Sequence, residues 1–272
     1  MENQFVEFTK EMKNDYTILV PNMLPIHFKL IIEVLKNYGY KAELLETMGK
    51  NIVESGLKYV HNDTCYPAIL VIGQFIDALE SGKYDPHKVA LILFQTGGGC
   101  RASNYVSLLR KAIIKAGYGY IPVIGFSVGG IEKHSGFNLA PNVLFQMIYC
   151  AAYGDLLMNL VNQCKPYEKF KGDTDVLANI YTQKIVSSIR NDRFFFSKIK
   201  KNFAEITGAF EKIPMNRVNK IKVGIVGEIF VKYSPLGNNN LESFLLSEGA
   251  EVVCPGFLGA GSAHCTSRCV YL

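Results

Sequence analysis

No apolar run in the sequence reaches the roughly 18–20 residues that a bilayer demands of a spanning helix, because lysine, glutamate, asparagine or glycine breaks each one. The first twenty residues carry acids where a secretory leader has a basic start and an apolar centre. These two absences argue against export and membrane spanning, and favour the reducing cytoplasm. The seven cysteines form no CxxC pair and no regular framework. In that compartment they are expected as structural, catalytic or metal-bound thiols rather than disulfides. The five histidines show neither HxxxH nor HExxH spacing, which argues against a histidine zinc site. Lysine and arginine exceed aspartate and glutamate by 29 to 24, but apart from Lys198, Lys200 and Lys201 the basic residues are scattered. A chain without a basic stripe interleaved with aromatics is not expected to bind nucleic acid.

What is present is 272 residues, 49% of them hydrophobic, enough for one large domain or two smaller ones. Tyr16–Pro21 reads as a strand and Pro25–Tyr38 as an amphipathic helix. Lys41–Leu45, Val89–Phe94 and Ile121–Phe126 read as further strands, with a helix bearing Leu108, Leu109, Ile113 and Ile114 between the last two. Continuous apolar strands alternating with helices predict a doubly wound, Rossmann-like parallel sheet in a first subdomain, residues 1–135. Residues 136–215 read as a helical connector, with a long buried helix over Asn138–Gln163. A second helix, capped by Asp173 or Thr174, runs towards Ile189. From 216 to 272 the α/β pattern restarts with a strand and its exit loop over KVGIVGEIF, a polar turn Ser234–Asn240, a helix Leu241–Ser247 and a strand Ala250–Cys254. It loses periodicity in GAGSAHCTSRCVYL, so this second α/β subdomain is expected to be incomplete.

Two loops each place a cysteine just before a helix. His61–Pro67 (HNDTCYP) precedes the apolar helix Ala68–Leu79, and Gln95–Arg101 (QTGGGCR) joins the strand 89–94 to the next helix. A helix N-terminus favours thiolate, and the carboxyl edge of a parallel sheet is where α/β folds place ligands. Gly97, Gly98 and Gly99 let the backbone turn its N–H groups towards an anion or towards sulfide. The plainer reading of the same residues is a tight turn with an ordinary buried thiol. Neither the GxGxxG spacing of a dinucleotide site nor the GK[ST] ending of a P-loop is there.

NDTCYP at 62–67, QTGGGCRASNY at 95–105 and GEIFVKYSPLGNNNLESFLLSEGAEVV at 227–253 resemble the 2-hydroxyacyl-CoA dehydratase superfamily, and most of all its branch of large activase-related proteins. The resemblance runs in order from about residue 8 to about residue 256. It implies two facing Rossmann-like subdomains whose loop cysteines hold an iron–sulfur cluster, of 4Fe–4S or double-cubane type, with Cys65 and Cys100 as two ligands. Thiolates are the usual ligands of such clusters, and loop N–H groups tune their potential. It further implies an ATP-dependent activase as partner, which delivers a low-potential electron, and an acyl-CoA substrate that undergoes radical dehydration. A third ligand is expected beyond Val253. Cys265 lies nearest to that position, although its surroundings depart from the family pattern. The departure suggests a C-terminally truncated or frame-shifted chain, and an unfinished sheet suggests association as a homo- or heterodimer.

Several weaker candidates complete the picture. Arg101 is placed to neutralise a cluster or meet a CoA phosphate, or simply to face solvent. Glu228 and Ser234 follow the 221–226 strand and are candidates for proton handling, although Glu228 serves equally as a helix cap. Cys150, Cys164 and Cys254 read as buried core residues, His61 as a solvated loop residue or an outer donor to Cys65, and Cys265 with Cys269 as half a zinc site. Two other readings stay open: an electron-relay module of a larger activase protein, and a metal-free α/β protein whose glycine loop cradles an anion.

Overall fold

The computed structural model describes residues 5–95, 104–127, 130–191, 195–216 and 218–258. Four strands, β1 (Thr17–Pro21), β2 (Lys41–Leu45), β3 (Val89–Gln95) and β4 (Val123–Ser127), form a parallel sheet in the order β2–β1–β3–β4. A two-residue strand, β5 (Gly130–Ile131), pairs antiparallel with β4. The register runs Thr17 to Lys41 on one side of β1 and Thr17 to Val89 on the other, then Leu91 to Val123. Ile18, Leu19, Ala90, Leu91 and Ile124 are completely buried. Such doubly covered strands must be apolar at successive positions, which is why VALILF reads as an unbroken run. The expected α/β fold with a parallel, helix-flanked sheet is therefore what the chain adopts.

The crossover from β2 to β3 holds two helices, α3 (Lys50–Tyr59) and α4 (Tyr66–Glu80), after α1 (Met12–Asp15) and α2 (Pro25–Asn37) earlier in the chain. Nearly all of α4 is buried, from Pro67 through Ile76, and it packs on β1, β2 and α5 (Tyr105–Lys115). Helix α3, which the sequence reading leaves unassigned, lies against α4 through backbone contact. A Cβ on Gly73 would stand 2.0 Å from the Ile52 carbonyl, and one on Gly56 would stand 2.2 Å from that of Ile69. Both positions admit only glycine while the helices stay this close.

The chain groups into two compact units, one formed by residues up to Met23 with Leu35–Ala140, the other by Leu24–Val34 with the chain from Pro141 on. From Pro141 on, the segments read from sequence as connector and second subdomain thus fall in one unit, while residues 136–140 belong to the first. It contains α6 (Pro141–Cys164), α7 (Asp173–Asn191), α8 (Ile199–Phe210), β6 (Lys222–Gly224), α9 (Ile229–Tyr233), α10 (Pro235–Asn238), α11 (Leu241–Ser247) and β7 (Glu251–Val253). Strands β6 and β7 pair in parallel, and among the described residues no further strand joins them. Beside β6, Ile221 and Val226 are 78% and 82% exposed.

Three local details differ from expectation. The strand in KVGIVGEIF stops at Gly224, and Ile229 already begins a helix. The start of α7 is held not by Asp173 or Thr174 but by the Glu168 carboxylate, which accepts from the N–H groups of Gly172 (2.7 Å) and Thr174 (2.9 Å). Helix α6 is long and apolar enough, by length and composition, to cross a membrane. Within this fold it is mostly buried, and it carries a fully buried Asp155 with partners of its own. It serves as the core helix of its unit.

Candidate functional site

The strand order fixes where a ligand would sit in the first unit. The chain steps outward from β1 to β2 and then crosses back to β3, so the side on which strands are added switches between β1 and β3. The crevice at their carboxyl ends, beside Pro21 and Gln95, is the usual place for a ligand in an open α/β sheet. Residues 96–103, including Gly97, Gly98, Gly99, Cys100 and Arg101, follow Gln95 in the chain and lie outside the described residues, as does Cys265.

Cys65 is the described member of the proposed set. It is the N-cap of α4, in extended conformation, with Pro67 in the first turn. Serine, threonine, aspartate or asparagine at this position would spend its side chain on the helix N–H groups. The Cys65 side chain makes no such capping bond, and it is free of disulfide and partly exposed. Its Sγ meets the hydroxyl of Tyr105 at 3.3 Å. Tyr105 opens α5, and α5 runs back to feed a parallel strand, so its first turn stands at the carboxyl edge of the sheet. The contact therefore brings Cys65, forty residues away in sequence, to the edge where the glycine-rich loop begins. Cys100 is five residues before Tyr105 in the chain. A phenol beside a sulfur can donate its O–H to a thiolate, which stabilises negative charge there.

The other candidates fall elsewhere. Glu228 caps α9, its carboxylate accepting from the Val231 N–H at 3.1 Å. Ser234 is fully buried at the junction of α9 and α10. His61 is exposed beside Asp63, 3.3 Å from its carboxylate. Cys150 and Cys164 are fully buried and Cys254 nearly so. Burial pushes the Cys150 thiol far above its ordinary pKa and raises that of Cys254 to about 11, so both stay protonated and unreactive near neutral pH. Among the described residues no three His, Cys, Asp or Glu side chains converge as a metal group.

Two groups went unforeseen. Tyr105 is the last residue of QTGGGCRASNY, but nothing in the spacing shows that its hydroxyl reaches Cys65. In the second unit the buried Asp155 carboxylate accepts from His27 Nε2 (2.9 Å) and from the N–H groups of Phe257 (2.6 Å) and Leu258 (2.7 Å). This holds the segment that follows β7. Those bonds keep the Asp155 carboxyl below its usual range against the opposing effect of burial.

No family model, curated protein or solved structure matches the chain. The functional reading accordingly rests on the motifs and on the geometry around Cys65.

Proposed function

We propose that the chain is a cytoplasmic iron–sulfur protein of the 2-hydroxyacyl-CoA dehydratase type, in which Cys65 and Cys100 hold a cluster at the carboxyl edge of the first sheet. The observation that carries this reading is the Cys65–Tyr105 contact. It leaves a free thiol, spared from capping, at the edge from which the Gly97–Cys100 loop departs. The donor chemistry fits, since thiolate sulfur is what such clusters take and a neighbouring hydroxyl is what tunes them.

The chain's own residues have definable tasks in this account. The buried body of α4 fixes the Cys65 Cα, and Pro67 restricts the backbone there. Tyr105, 8% exposed, presents its hydroxyl to Sγ and helps to exclude water. Gly97, Gly98, Gly99 and Arg101, which lie outside the described residues, are the remaining candidates of the motif for contact with the cluster. A cluster bound there supplies one-electron chemistry at low potential. The partner in this reading is an ATP-dependent activase, and the substrate class is an acyl-CoA thioester.

The test is electron paramagnetic resonance of oxygen-free protein after chemical reduction. The expected result is an iron–sulfur signal that vanishes in Cys65→Ala and changes in shape or potential in Tyr105→Phe. A spectrum unaffected by Cys65→Ala would overturn the assignment.

A further inference from the structure

In the first unit the segment 5–11 runs as a strap against residues 134–136. The Phe8 N–H donates to His134 Nδ1 at 3.0 Å, the Gly136 N–H donates to the Phe8 carbonyl at 2.9 Å, and the Ser135 N–H donates to Glu7 Oε1 at 2.9 Å. The strap lies so close that a Cβ on Gly136 would stand 1.9 Å from the Thr9 carbonyl. The Phe8 side chain is completely buried, and the Phe5 ring lies over the His134 imidazole with centroids 5.0 Å apart. Glu7 also forms one wall of a pocket of about 490 Å³, lined further by Glu132, His134, Ser135 and Phe137.

His134 determines when this arrangement can persist. A neutral imidazole that accepts at Nδ1 must carry its proton on Nε2. That Nε2 is buried with no hydrogen-bond partner among the described residues, the nearest carboxylate oxygen, Glu132 Oε2, being 3.9 Å away. A protonated ring has a donor on each nitrogen, and its Nδ1–H would then oppose the Phe8 N–H. We propose that residues 5–11 form an acid-released latch, in which protonation of His134 frees the strap from 134–136 and opens the pocket that Glu7 walls.

The groups facing the ring act in both directions. Burial disfavours its charged form most strongly, Glu132 favours it, Arg110 from α5 opposes it and Glu7 from the strap favours it. Arg110 is itself engaged by the Glu132 carboxylate at 2.5 Å, which blunts the pull of Glu132 on the ring. Lys133, at the pocket rim, adds positive charge. The net effect lowers the His134 pKa below the ordinary value of about 6.5. The closed latch is therefore at full strength above about pH 6.5. It weakens by about tenfold per pH unit from there down to the closed-state pKa. Glu7 titrates below the ordinary carboxylate range and stays ionised through this window.

Hydrogen exchange of the Phe8 and Gly136 amides, corrected for intrinsic rates and compared with the Leu19 amide in the sheet, tests the latch. Between about pH 7 and pH 5 both strap amides are expected to lose protection, by a factor that approaches tenfold per pH unit until the closed-state pKa is reached, while Leu19 keeps its own. In His134→Gln, which retains an acceptor oxygen but does not titrate, their protection should be level across the range. Unchanged protection in the wild type, loss in step with Leu19, or the same pH dependence in His134→Gln would each overturn the proposal. If that variant does not fold, the ring titration followed by nuclear magnetic resonance decides: its midpoint must coincide with strap opening, and a displaced midpoint refutes the latch.

Discussion

Replacing Asp155 by alanine removes the acceptor for three donors at once: His27 Nε2, and the N–H groups of Phe257 and Leu258. Asp155 and His27 are essentially buried, whereas Phe257 and Leu258 are 47% and 44% exposed, so water can reach their N–H groups once the carboxylate is gone but cannot reach His27 Nε2 without the site opening. The orphaned His27 donor costs about 1–3 kcal/mol and each lost bond to the two partly exposed N–H groups about 1 kcal/mol, while breaking a buried pair by deleting one partner costs about 3–5 kcal/mol. The two scales agree on a loss of about 3–5 kcal/mol for Asp155→Ala. With a denaturant slope near 3 kcal/mol/M, this lowers the urea midpoint by at least about 1 M. Asp155→Asn keeps one acceptor oxygen and the shape but turns an amide donor towards the other N–H, and should fall between the two. Gly256→Ala should mimic part of the effect, because its Cβ would stand 2.7 Å from the carboxylate. The pH dependence has a definite sign. A carboxyl held below its usual range contributes stability that is complete above its unfolded pKa and is lost as pH falls through the folded one. The wild type should therefore lose its advantage over Asp155→Asn only in acid below about pH 4. Circular dichroism across a urea series provides the readout. An Asp155→Ala midpoint within the equivalent of about 1 kcal/mol of wild type would refute the reasoning.

Two further predictions concern the first helix pair and the thiols. Gly73→Ala forces α3 from α4 against a carbonyl 2.0 Å away. It should cost about 3 kcal/mol or more, seen as a fall in melting temperature of roughly 6–12 °C. An unchanged melting temperature would mean that the helices are not in backbone contact. In iron-free protein Cys65, which is partly exposed, should react with a disulfide reagent, while Cys150 and Cys254, raised by burial, stay inert until unfolding. Cys65→Ala then removes one fast-reacting equivalent, and no difference between the two proteins would contradict the exposure of Cys65.

The parts of the fold that were legible are those where one local signal suffices. Lys41–Leu45 and Leu241–Ser247 were bounded by turn residues and match β2 and α11 residue for residue. Helix α3 was not legible because KNIVESGLKY buries only Ile52 and Gly56. Its sequence is amphipathic, but the stripe is short, and the contact that attaches it is between glycines, which apolar periodicity does not signal. The grouping of residues 24–34 with the chain beyond Pro141 was equally hidden, since it depends on pairs such as His27 and Asp155, 128 positions apart. At the site, Cys65 was recognisable from its place before a proline-started apolar helix. Tyr105 was not, because its role arises only when α4 and α5 pack side by side. Glu228 shows the opposite case: the capping alternative was open in the sequence, and the carboxylate is found doing that.

The central claim is that Cys65 and Cys100 hold an iron–sulfur cluster, and the most direct measurement is iron and acid-labile sulfide on protein purified without oxygen, beside Cys65→Ala and Cys100→Ala. The account predicts stoichiometric iron and sulfide in the parent chain and their loss in both variants, with each variant still folded by circular dichroism. A parent chain that holds no iron after reconstitution, or variants that hold as much as the parent, would contradict it.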